Sequence, residues 1–134
     1  MSIRTIIKNA KLLLPEGIST QDVLILDGMI HRIAKDIDPL NTDIIVDAAH
    51  QYVLPGFVDI HNHGAEGFDT SFGTYSTTSQ TFEFDPHTFL VGVEKFQRFN
   101  LRHGTTRMLA TSMAAPWEGL EKAFSLIHQY CSSN

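Results

Sequence analysis

Short apolar runs alternating with polar residues dominate the first 54 positions. Ile3 to Ile7, Asp22 to Leu26, Ile30 to Ile33, Ile44 to Val46 and Tyr52 to Leu54 are each bounded by polar or turn-forming residues, the pattern of β-strands. Asp27-Gly28 separates the second run from the third and suits a tight hairpin, because glycine takes positive φ without steric cost. Residues 1–54 are therefore expected to form a small β domain, ended by Leu54-Pro55-Gly56. From Phe57 the period changes. Phe57 to His61 reads as a strand, and residues 62–84, rich in Gly, Ser, Thr and aromatics, read as a long loop that is either functional or mobile. Asp85 and Pro86 signal a helix start, after which Phe89, Val93, Phe96 and Phe99 recur at helical spacing until Gly104 stops the helix. Thr105 to Thr111 reads as a second buried strand. Pro116 then opens a second helix with Trp117, Leu120, Phe124, Ile127 and Cys131 along one side. Strand, helix, strand, helix is the order of a parallel α/β architecture.

Composition narrows the classes. With 134 residues, 43% hydrophobic and 19% charged, the chain can bury a modest core. A formal net charge of -5 with no Lys/Arg run argues against nucleic acid as a partner. No stretch approaches a membrane span, and Arg4, Lys8 and Lys11 interrupt the N-terminal apolar residues, so no signal peptide is read and a cytoplasmic protein is expected. The single cysteine, Cys131, fits a reducing compartment and is expected to be a small buried apolar residue.

Chemistry concentrates in one run, Leu54-Pro55-Gly56-Phe57-Val58-Asp59-Ile60-His61-Asn62-His63-Gly64, continuing to Gly67-Phe68-Asp69. In an extended strand side chains alternate, so Asp59, His61 and His63 share one face and Val58 and Ile60 the other. Two imidazoles at i and i+2 can place two neutral nitrogens on one divalent metal. Asp59 is a candidate to orient a ligating ring, with backbone contacts within the strand as the equal alternative. Gly64 and Gly67 permit close approach of backbone to a ligand, and are equally ordinary turn residues. The letters His-Asn-His do not signal the nuclease class of that nickname, since the basic surface it needs is missing. His31, His50, His87, His103 and His128 are not expected to be ligands.

The same run resembles the first barrel strand of the amidohydrolase superfamily. His63-Gly64 through Gly67-Phe68-Asp69 is most similar to its N-acetylglucosamine-6-phosphate deacetylases, and His103-Gly104-Thr105-Thr106-Arg107-Met108-Leu109-Ala110-Thr111 resembles the family's second strand. The resemblance implies an α/β fold: the first two β-α units of a metal-dependent (β/α)8 barrel over residues 55–134, preceded by a small β-sandwich-type domain. It implies His61 and His63 as ligands of a divalent metal, zinc in one or two ions. It further implies hydrolysis of the acetamide of N-acetylglucosamine 6-phosphate, giving acetate and glucosamine 6-phosphate in amino-sugar breakdown. The remaining ligands, the catalytic acid/base and the phosphate-binding residues would lie beyond Asn134, so no catalytic residue is assigned here and the 134 residues alone are expected to be inactive. The complete form is expected to be a homo-oligomer, a dimer, that takes a small phosphorylated amino sugar and neither nucleic acid nor membrane. Two alternatives stand beside this: a dihydroorotase-like cyclic amidase, and a non-catalytic module that self-associates through an unfinished sheet.

Overall fold

The structure, a computed structural model, describes residues 2–133 and divides into two compact units, with the boundary between Pro55 and Gly56. The whole is mixed α/β and mostly strands.

The first unit is one five-stranded sheet. Strands β1 (Arg4–Leu14), β2 (Gly17–Leu26) and β3 (Met29–Ala34) run antiparallel, while β4 (Ile44–Asp47) and β5 (Tyr52–Val53) pair parallel with β1. Asp27-Gly28 does make the turn between β2 and β3, where Leu26 faces Met29. Strand β1 is longer than its alternation predicts, and the reason is a bulge. Between Ile7 and Ala10 it spends one residue more than β2 does, which changes the face that later residues present. The freed N–H of Asn9 (φ 56°) is taken by the buried Asp22 carboxylate at 3.0 Å. Apolar residues pack in two clusters, one around Ile6, Leu24 and Ile37 and one around Ala10, Leu12, Val23 and Ala48.

The second unit begins with β6 (Phe57–Asn62). The expected long loop after it is instead a small antiparallel meander of β7 (Gly64–Ala65), β8 (Phe68–Asp69), β9 (Gly73–Ser76) and β10 (Thr81–Glu83). Strands of two to four residues are too short for a period-two signal to register. Helix α1 (Pro86–Arg102) follows, capped by Asp85, which accepts the N–H groups of His87 and Thr88 at 3.1 and 2.9 Å. Strand β11 (Thr105–Ala110) returns parallel to β6, and α2 (Trp117–Ser133) closes the unit. A parallel pair requires a long crossover, which α1 supplies.

The core of this unit is Phe68, Phe89, Val93, Phe96 and Ala123, with Leu126, Ile127 and Tyr130 against it. Phe89, Val93 and Phe96 come from the predicted stripe of α1. On α2 the predicted stripe is corrected. Trp117, Phe124 and Cys131 are exposed, and the helix turns Ala123, Leu126, Ile127 and Tyr130 inward. Small Ala123, fully buried, lets the helix backbone approach the phenylalanine cluster, which bulkier Phe124 would prevent. Among the described residues, no helix is long and apolar enough to cross a membrane.

Candidate metal centre

The C-terminal end of β6 is where the sequence places its chemistry, and the structure brings His61 and His63 together there. Their Nε2 atoms stand 3.1 Å apart and the rings meet edge to face, 79° between planes with centroids 4.9 Å apart. Two nitrogens bound to one zinc ion at a tetrahedral angle, with bonds of about 2.0–2.1 Å, would sit about 3.3–3.4 Å apart. The observed separation is close to that geometry. His61 is exposed and His63 half-buried, so the pair is open to solvent on one side. His63 Nδ1 is buried without a hydrogen-bond partner. The two residues thus fit a shared cation as a pair of ligands. Among the described residues no group of three His, Cys, Asp or Glu comes together, so this chain offers two ligands where a zinc site ordinarily takes at least three from protein.

The local backbone explains how the rings converge. Pairing between β6 and β11 shifts register between Asp59 and Asn62, a bulge that bends the strand end just where the histidines stand. The hydrogen bonds of Asp59 go to groups other than the two rings. Its Oδ1 accepts the backbone N–H of His61 at 3.1 Å and its Oδ2 accepts from Asn62 Nδ2 at 2.9 Å, the backbone-stabilising alternative of the sequence reading. The carbonyl of His63 accepts the N–H of Thr70 at 2.8 Å, and the single proton of the Thr70 hydroxyl is shared between the carbonyls of Thr111, at 2.7 Å, and His63, at 3.1 Å. Thr70 is 1% exposed and ties the meander to the ends of both parallel strands.

Gly64 and Gly67 serve the turn that follows. A Cβ on Gly64 (φ 155°) would collide with the carbonyl of Phe68, so the close approach there is to the chain itself. Gly67 (φ 77°) forms with Glu66 (φ 50°) the two-residue turn of the β7–β8 hairpin, which demands positive φ at both positions. His31, His50, His87, His103 and His128 are all exposed, and His103 Nδ1 lies 2.8 Å from the carbonyl of Phe99 at the end of α1. Sequence reasoning missed Asn62, Thr70 and Asn100 as parts of the site's frame. A signal existed for Asn100: it continues the apolar face of Phe89, Val93 and Phe96, where a polar side chain needs a reason.

Several known proteins are similar to this chain. The crystal structure of an N-acetylglucosamine-6-phosphate deacetylase from Pasteurella multocida matches all of this chain over 31% of its own, with a TM-score of 0.76 and 20% sequence identity. The crystal structure of an amidohydrolase also resembles it in fold, matching 84% of this chain over 26% of its own, with a TM-score of 0.59 and 17% sequence identity. In sequence, a dihydroorotase of Staphylococcus aureus is 40% identical over 76 residues, 57% of this chain and 17% of that protein. An L-hydantoinase of Paenarthrobacter aurescens is 36% identical over 58 residues, 43% of this chain and 13% of that protein. No family model matches. The chain thus spans 31% of that deacetylase, 17% of the dihydroorotase and 13% of the hydantoinase.

Proposed function

We propose that this chain supplies the first ligand pair and the first two β-α units of a metal-dependent (β/α)8-barrel hydrolase, whose complete form deacetylates N-acetylglucosamine 6-phosphate. The observation that carries the reading is the meeting of His61 and His63 Nε2 at 3.1 Å on the end of a parallel strand. Barrel enzymes do their chemistry at that end of their strands. The likeness of the whole chain to a deacetylase structure supports the choice of substrate.

Amide hydrolysis at neutral pH needs a strong nucleophile and a means of bearing charge on the carbonyl oxygen. A divalent ion, zinc in this reading, supplies a water of lowered pKa and Lewis acidity. His61 and His63 would hold it in their neutral form through Nε2, together with ligands from outside these 134 residues. Asp59 holds the strand end through the N–H of His61, and Thr70 does so through the carbonyl of His63, so the rings extend from a backbone already fixed. The half-buried setting of His63 excludes water from one side of the pair. In this reading the complete protein is a cytoplasmic dimer acting on a small phosphorylated amino sugar, and binds neither nucleic acid nor membrane.

The sequence matches to a dihydroorotase and a hydantoinase favour a second reading, a cyclic amidase using the same pair. The full-length gene product, supplied with zinc, separates the two. Release of acetate from N-acetylglucosamine 6-phosphate, abolished by chelator and by His61→Ala, is the expected result. Ring opening of dihydroorotate or a hydantoin without acetate release would replace it with the second reading, and neither activity would sink both. The 134 residues alone should turn over neither substrate.

A further inference from the structure

The end of β6 is held by an amide network that the ligand pair alone does not require. Asn62 stands between the two histidines, and every hydrogen-bonding group of its side chain is used. Its Nδ2 donates to Asp59 Oδ2 at 2.9 Å and to Asn100 Oδ1 at 3.2 Å, while its Oδ1 accepts the N–H of Gly64 at 3.2 Å. Through Asp59 it reaches the N–H of His61, and directly it fixes the N–H that follows His63. One side chain therefore braces the backbone on both sides of the pair. Its own anchor is Asn100, 6% exposed on α1, whose Nδ2 donates to the carbonyl of Phe96 at 2.8 Å. A buried amide among phenylalanines is costly unless each of its groups is bonded, and a leucine there would pack without that requirement.

We propose that Asn62 and Asn100 are positioning residues for the metal-ligand pair, fixing the two imidazoles to the body of helix α1 so that their Nε2 atoms meet. The inference rests on reading His61 and His63 as ligands. Without the brace, the bulged strand end samples backbone angles at which the rings part, and the cation then has to order them at the expense of affinity. Groups one step removed from a metal change its affinity ten- to a hundredfold when deleted, because they set the orientation of the ligands.

Zinc chloride titrated into the metal-free full-length gene product, followed through the imidazole nitrogen and proton resonances of His61 and His63, tests this, with thermal unfolding measured in parallel. The rings of the unaltered chain should shift together and saturate, and His61→Ala should remove the joint response. Asn100→Ala should weaken zinc binding ten- to a hundredfold. If Asn100→Ala does not fold, Asn62→Ala carries the same expected loss. A lower unfolding temperature with zinc affinity within twofold of the unaltered chain would make these residues merely structural and overturn the proposal, leaving the ligand pair intact. No joint response in the unaltered chain would overturn both.

Discussion

Asp22 binds a bulge, a lysine and a turn to one carboxylate. It is 2% exposed and accepts the N–H groups of Asn9 and Ile37, each at 3.0 Å, while Lys8 Nζ pairs with it. Burial pushes its carboxyl up, but the Lys8 ammonium and the two N–H groups outweigh that, and the net result lies below the ordinary range. Lys8 is raised by Asp22 and then by Asp36. The signs follow from linkage. Asp22, lowered on folding, contributes stability above its unfolded value of about 3.9 and loses it as pH falls through the folded value. Lys8, raised on folding, contributes below its unfolded value of about 10.4 and loses that as pH rises through the folded one. The urea midpoint should therefore be flat from about pH 5 to 9 and fall in acid below about pH 4. Asp22→Ala should cost about 1–3 kcal/mol at neutral pH, because it strands the buried N–H of Ile37 and the half-buried N–H of Asn9, and should flatten the acid limb. An unchanged acid limb in that variant would assign it to another carboxylate. Nothing of this cluster was legible beforehand, since Lys8 and Asn9 interrupt the alternation and their partners lie on another strand. The nearness of His61 and His63 was legible because they stand two positions apart, whereas the bulge that bends the strand end beneath them was not. Asn62 and Asn100, 38 positions apart, meet only through the crossover of α1.

Elements followed their local signals where these agreed and departed where packing chose between equals. Asp85, Pro86 and the phenylalanine stripe all point to α1, and the helix starts and buries its face as they require. Helix α2 is different, because its apolar residues span about half of its circumference, with Trp117, Phe124 and Cys131 along one margin and Ala123, Leu126 and Tyr130 along the other, so periodicity alone does not choose between the margins. What decides is contact with a core of phenylalanines, and Ala123 with Ile127 admits closer approach. The hairpin turn at Asp27-Gly28 was readable from two residues, whereas the bulge in β1 and the meander after His63 were not, since neither carries a sustained period. The choice of face on α2 has a measurable consequence. Trp117→Gln and Phe124→Gln should each change stability by less than about 0.5 kcal/mol, as surface substitutions do. Ala123→Leu, adding volume to a site with no exposed surface, should cost about 1–3 kcal/mol. Denaturant midpoints at unchanged slope read both, and a large loss from Trp117→Gln would contradict the observed orientation of the helix.

At the scale of the molecule, the second unit carries a parallel strand pair that is not covered as such pairs ordinarily are. Strands in parallel sheets are buried on both faces. Here Val58 and Ile60 of β6 are 62% and 71% exposed, and Leu109 of β11 is 61% exposed. Their order in sequence made the parallel arrangement legible, and their apolar character predicted burial, which the pair does not supply by itself. Exposed apolar side chains on strands with free edges favour association between copies. The 134-residue chain should therefore show an apparent mass that rises with concentration in light scattering. Val58→Thr together with Ile60→Thr should lower that rise while leaving the thermal midpoint nearly unchanged, because threonine keeps the branched shape a strand accommodates and the replaced side chains are already in water. A monodisperse monomer across the concentration range would show that these side chains are tolerated in solvent and that β6 and β11 have no tendency to pair further.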